Sequence, residues 1–121
     1  MLSTNLVWGR PMLRDANDLL HGTLDVLVLK TLSWVPMHGY GIARWIEERT
    51  RNELAIVDAA LYKALHRLEQ EGSIAAEWGL SENNRRARYY SITARGKQML
   101  KSDAATWRRY AAAVFRVLET G

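Results

Sequence analysis

The hydrophobic period of this sequence changes twice, and those two changes restrict its fold more than any bulk property does. From Leu19 to Trp34 apolar residues fall on nearly every side, Leu20, Leu24, Val26, Val28, Leu29 and Leu32 among them. Such a stretch predicts a buried central helix, with Asp18 as its N-cap. Pro36 ends it, because the ring disfavours the helical conformation in the residue before it. His38-Gly39-Tyr40-Gly41 opens a second helix that runs to about Thr50, with Ile42, Trp45, Ile46 and Arg49 on one side. After a turn-like connection over Arg51 to Val57, Asp58 is the expected N-cap of a third helix of about 14 residues, which Gly72 closes. At about 100° per residue, Leu61, Ala64, Leu65 and Leu68 share one face of that helix. Ala59, Lys63, His66, Arg67 and Gln70 share the opposite face, with Ala60 and Tyr62 on the flanks.

The first change of period follows Gly72. Ile74 to Leu80 reads as a strand, Ser81-Glu82-Asn83-Asn84 as a turn, and Arg88-Tyr89-Tyr90-Ser91-Ile92 as the returning strand. In Arg88-Tyr89-Tyr90 neighbours point to opposite faces, so at least one of the two tyrosines packs inward. The second change follows Thr93, a good N-cap for a last helix running from Ala94 to about Glu119. Along it Leu100, Ala104, Trp107, Ala111, Val114 and Leu118 are spaced 4, 3, 4, 3 and 4, a heptad seam that a small domain cannot cover fully. A second copy of the chain is the simplest cover. The expected fold is mainly α with a small β-hairpin, a winged helix-turn-helix plus a long C-terminal dimerisation helix. Residues 1–17 are expected to form an arm, 18–93 the winged-helix domain and 94–121 the dimerisation helix. Of the tryptophans off the seam, Trp8, Trp34 and Trp45 are expected in the core or against the arm, and Trp78 in strand packing.

Charge adds a second constraint. The 121 residues hold 17 Lys and Arg against 13 Asp and Glu, a net charge of +4. Residues 81–97 carry Arg85, Arg86, Arg88, Arg95 and Lys97 against Glu82 alone, so the whole excess sits in one short segment. Charge concentrated in this way is the footprint expected for nucleic acid. With no cysteine, disulfides, thiolate metal sites and cysteine nucleophiles are excluded. The longest apolar run, Tyr110 to Phe115, is six residues, and the N-terminus lacks the charge pattern of an export signal, so a cytoplasmic location without a membrane partner is expected. His21, His38 and His66 have no ligand spacing with another His or a carboxylate, and neither a phosphate loop nor a nucleophile elbow occurs. No catalytic residue, metal site or cofactor is therefore expected.

Four stretches carry a family likeness: Leu20-His21-Gly22-Thr23-Leu24-Asp25, His38-Gly39-Tyr40-Gly41-Ile42-Ala43, Leu61-Tyr62-Lys63-Ala64-Leu65-His66-Arg67-Leu68-Glu69, and Arg85 to Gly96 with its Tyr89-Tyr90-Ser91-Ile92-Thr93. Together, over residues 19–100, the sequence resembles a PadR-type transcriptional regulator. The resemblance implies a winged-helix DNA-binding domain, a homodimer held by the C-terminal helix, and usually repression. Two departures stand out. Asp58-Ala59-Ala60-Leu61-Tyr62-Lys63 lacks the small hydroxyl residue and the proline usual there, so Lys63 adds a charge while an operator sequence cannot be carried over. The C-terminal part is also short, a single helix, which resembles the compact branch of the family.

These readings assign roles. Tyr40, Ala59, Ala60, Tyr62, Lys63, His66 and Arg67 are expected to meet a double-stranded DNA operator from the helices, and Arg85, Arg86 and Arg88 from the wing. His38 is expected either to join them at the phosphates or to cap its helix. Leu100, Ala104, Trp107, Ala111, Val114 and Leu118 are expected at the homodimer interface. Multidrug-binding members of the family resemble this chain in carrying a tryptophan where Trp107 stands, which implies a small aromatic effector there; a plain interface filler is the other reading. The rival for the whole chain is a winged helix that docks proteins and never touches DNA.

Overall fold

The computed structural model describes the backbone of residues 16–121 and side chains from Thr23 onward. Its elements are α1 (Ala16–Leu32), β1 (Met37–His38), α2 (Gly39–Arg49), α3 (Asp58–Gln70), β2 (Ile74–Leu80), β3 (Arg86–Ile92) and α4 (Ala94–Leu118). The expected fold class is the one found. α1 runs through the middle and packs against α2, α3, α4 and β3, as its all-round apolarity requires. Leu24, Val28, Leu29 and Leu32 from α1 meet Ile42 and Ile46 from α2, and Leu61, Leu65 and Leu68 from α3, in one core. Ile74 and Tyr90 close it from the sheet side.

Several boundaries correct the sequence reading. α1 already includes Ala16 and Asn17, so Asp18 lies inside the helix and is not its cap; residues 1–15 of the expected arm, Trp8 with them, lie outside the described residues. α3 begins at Asp58, and its N-cap is Val57, in extended conformation with no side-chain bond to the first turn. Asp58 has helical geometry and cannot cap, although a carboxylate in the first turn still suits the helix dipole. Gly72 closes α3 with φ +79°, a conformation L side chains rarely adopt.

The hairpin is one part of a three-stranded antiparallel sheet of order β1-β3-β2. β1 was not foreseen: two residues pair Met37 with Tyr90 and His38 with Tyr89, and a two-residue strand has no period to read. β2 matches its expected span, whereas β3 starts at Arg86 rather than Arg88. Registered pairs Ile74–Ile92, Ala76–Tyr90, Trp78–Arg88 and Leu80–Arg86 put these side chains on one sheet face. Tyr90 on that face is buried in the core, and Tyr89 on the other donates its hydroxyl proton to the Leu80 carbonyl at 2.7 Å.

Trp78 shares the parity of the core residue Ile74, yet it is 58% exposed. The hairpin outruns the core it springs from, so correct parity near its tip no longer means burial. Trp34 is exposed as well, past the end of α1, with the Lys30 ammonium over its ring at 5.6 Å. Trp45 is half-buried against the core beneath the Arg49 guanidinium, 4.4 Å from its ring centroid.

Thr93 caps α4 as expected, its hydroxyl oxygen accepting from the Gly96 N–H at 3.1 Å. The same hydroxyl donates to the Gly72 carbonyl at 2.7 Å, which ties the base of the wing to α3 and α4 at once. Gly96 is needed for packing there, because a Cβ on it would stand 2.1 Å from the Ser73 carbonyl oxygen. Among the described residues no helix is long and apolar enough to cross a membrane.

Candidate nucleic-acid interface

Three elements converge on one cleft of about 700 Å³: the N-terminus of α2, the first turns of α3, and the outer half of the wing. His38, Gly39 and Tyr40 come from the first and Tyr62 from the second. Trp78, Glu82, Arg85, Arg86 and Arg88 come from the third. α2 and α3 can approach this closely because Gly39 has no side chain; a Cβ there would meet the Tyr62 hydroxyl at 3.2 Å.

Of the ten residues expected to meet DNA, Tyr40, Tyr62, Arg85, Arg86 and Arg88 line the cleft. Ala59, Lys63 and His66 are exposed on the outer face of α3, beside it. Ala60 packs half-buried against the core. Arg67 stands apart: its Nη2 is held by the Asp25 carboxylate of α1, so this guanidinium braces the two helices. Burial pushes the Asp25 carboxyl up despite that bond.

The wing arginines differ in how they are held. Arg88 donates to Glu69 of α3 at 2.9 Å, and its guanidinium lies 6.0 Å from the Trp78 ring centroid. Arg86 stacks on the same indole at 4.4 Å. Glu69, Arg88, Trp78 and Arg86 thus form a continuous brace from α3 into the wing. The Arg85 side chain has no intramolecular partner among the described residues and points its charge to solvent at the tip.

His38 resolves to a helix cap. Its Nδ1 accepts from the Gly41 N–H at 3.0 Å, while its Nε2 lies 3.2 Å from Oε1 of Glu82 at the wing tip. An acceptor role at Nδ1 places the proton on Nε2, which donates to the carboxylate. The ring packs edge-on to Tyr89 at 5.3 Å between centroids. Glu82 is held below its ordinary carboxyl value, first by its own backbone N–H and then by His38.

Sequence reasoning did not foresee Trp78, Glu82 or Arg44 at this face. Arg44 donates to the Tyr40 hydroxyl at 2.9 Å and also pairs with Glu48 at 3.4 Å. The i,i+4 spacing of Tyr40 and Arg44 was a usable signal. The other two belong to the site only through wing geometry, which no local pattern carries.

The expected dimer residues are placed on α4. Leu100 packs against the core, and Ala104, Trp107 and Ala111 are half-exposed. Val114 and Leu118 are exposed, at 38% and 70%, and Tyr110, Phe115 and Val117 widen the same apolar side. Trp107 meets Tyr110 edge-on at 5.7 Å; the cleft at the wing does not include it.

Comparison with known proteins agrees with this architecture. A model of the transcriptional regulator PadR-like family matches residues 28–102. An uncharacterised protein of Lysinibacillus sphaericus is 33% identical over 91 residues, 75% of this chain and 84% of its own length. A transcriptional regulator from Clostridium thermocellum superposes with TM-score 0.74 at 29% identity, covering 82% of this chain and 96% of that one. A PadR family transcriptional regulator from Eggerthella lenta does so with TM-score 0.71 at 27% identity, over all of both chains. With the family model spanning more than half of the sequence, and the helix order, wing and terminal helix all in place, this chain belongs to the PadR-like family of transcriptional regulators.

Proposed function

We propose that the chain is a homodimeric regulator that binds double-stranded operator DNA and represses by occluding a promoter. The observation that carries this reading is the convergence of Tyr40, Tyr62, Arg85 and Arg86 on one open face beside the solvent-facing Lys63 and His66 of α3. The first turns of α3 enter the major groove, and the wing grips the flanking phosphates. Two copies joined along α4 present their α3 helices to successive major grooves, roughly 34–36 Å apart. The apolar side of α4 from Trp107 to Leu118 supports the joint, since a large exposed apolar patch on a soluble domain marks an association surface. A small aromatic effector bound between the copies, against Trp107, releases DNA by changing the angle at the seam.

Duplex binding at several salt concentrations tests this. Replacing Arg85 and Arg86 together by alanine is expected to weaken binding and to flatten the salt slope by about 0.9 per lost phosphate contact. Unchanged affinity and slope in the folded variant favour the protein-docking rival. For the effector, quenching of Trp107 by small aromatic compounds is expected to accompany loss of operator affinity. Quenching without any change in affinity removes that step.

A further inference from the structure

Glu82 is the one carboxylate of the wing tip, set among Arg85, Arg86 and Arg88 in the segment that carries the chain's whole charge excess. An acid there opposes the attraction on which the proposed DNA binding depends. Its placement is specific. Oε1 lies 3.2 Å from Nε2 of His38, whose other nitrogen is committed to capping α2. The imidazole is anchored, with only 12% of its side chain exposed, whereas the Glu82 side chain is 83% exposed. The donor is therefore fixed and the acceptor is free to leave.

We infer that the His38–Glu82 contact is an autoinhibitory latch, in which the carboxylate holds the donor that a phosphate of bound nucleic acid takes over. This rests on the DNA-binding reading. Carboxylate and phosphate oxygens compete for the same N–H with the same charge-assisted geometry. The wing has ties that do not involve Glu82: β1 pairs with β3, and Arg88 bonds Glu69. Removing the charge thus raises affinity instead of loosening the wing. The latch also favours an anionic ligand, since a charged acceptor replaces the carboxylate at the Nε2 donor more strongly than a neutral one does.

The test is a double-mutant cycle on the full chain, with Glu82→Gln and His38→Asn. Asparagine keeps an N-cap acceptor for α2 but is too short to reach the wing tip. Glu82→Gln is expected to tighten duplex binding about three- to tenfold and to steepen the salt slope by about 0.9. In the His38→Asn background that gain is expected to shrink to less than about twofold, because the carboxylate is no longer held in the cleft. A gain of equal size in both backgrounds, no gain, or weaker binding overturns the latch. Independently of DNA, the ¹⁵N shifts of the His38 imidazole followed during titration with inorganic phosphate should respond at lower phosphate in Glu82→Gln than in the parent. Identical titrations overturn the latch. If no variant binds duplex at any salt while the phosphate titrations still differ, the exchange of carboxylate for phosphate at His38 is upheld, but the DNA-binding reading falls and the latch's role in it falls too.

Discussion

The winged-helix body and the outer half of α4 handle exposed surface in opposite ways. In the body, many polar and aromatic side chains near the surface are paired with one another: Arg88 with Glu69, Arg44 with Tyr40 and Glu48, Arg86 with Trp78, His38 with Glu82. Most of the aliphatic residues of its helices close on a core assembled from α1, α2, α3 and the sheet, while Trp34, Trp78 and Leu80 stay exposed at its edges. On α4, beyond Leu100, the larger apolar residues stay open to solvent, Val117 at 74% and Leu118 at 70%. The first region is complete within one chain. The second leaves an apolar side uncovered among the described residues, the side on which the proposed second copy would pack.

Three changes test that contrast, in order of expected effect. Replacing Val114 and Leu118 together by aspartate should leave the body folded but break self-association, shifting the mass in sedimentation from dimer to monomer. Duplex affinity should then fall about 10²–10⁴-fold as the second half-site contact becomes intermolecular. A dimer that survives both charges would mean the seam lies elsewhere. Gly96→Ala acts on the opposite region: its Cβ collides with the Ser73 carbonyl, so the body should lose about 1–3 kcal/mol in chemical denaturation. Stability equal to the parent would show that α4 can shift at its first turn without cost to the core.

The smallest effect concerns Asp25, behind the interface. Its carboxyl is raised mainly by burial, so the folded state holds this proton more tightly than the unfolded chain does. Stability from this group is accordingly greatest below the ordinary carboxyl value of about 3.9, falls as pH rises through the raised value, and then levels off. Asp25→Asn, which can still accept from Arg67, should remove that fall when thermal midpoints are followed by circular dichroism across acid pH. The same fall in the variant would assign it to another group, Asp103 on α4 being the nearest candidate because its carboxyl is also raised by burial.

Much of the body was legible in the sequence because its signals are local. The face Leu61, Ala64, Leu65 and Leu68 is buried as its spacing required. Thr93 caps α4 and Gly72 ends α3 for reasons contained in three or four residues. The site was legible only in part. Type and position singled out Tyr40, Tyr62 and the three wing arginines that line the cleft, but gave no sign that Arg67 and Arg88 each have an acid partner on another element. Those partners, Asp25 and Glu69, lie 42 and 19 residues away in sequence. Trp78 does pack across the strands, under Arg86 and Arg88, but its exposure was not legible: alternation tells which side of a strand a residue occupies, not how far the core beneath it extends.

Period, caps and charge segregation, all set by neighbours within a turn or a strand pair, were enough to determine three helices, a basic hairpin and a terminal helix with an uncovered seam. The tertiary structure alone decided which of the resulting charges are committed. Arg67 is tied to α1, Arg88 to α3 and His38 to the wing tip, while Lys63, His66 and Arg85 remain open to solvent. A side chain's pattern reports the element it belongs to, but its partner is chosen by whichever distant element the fold brings within hydrogen-bonding distance.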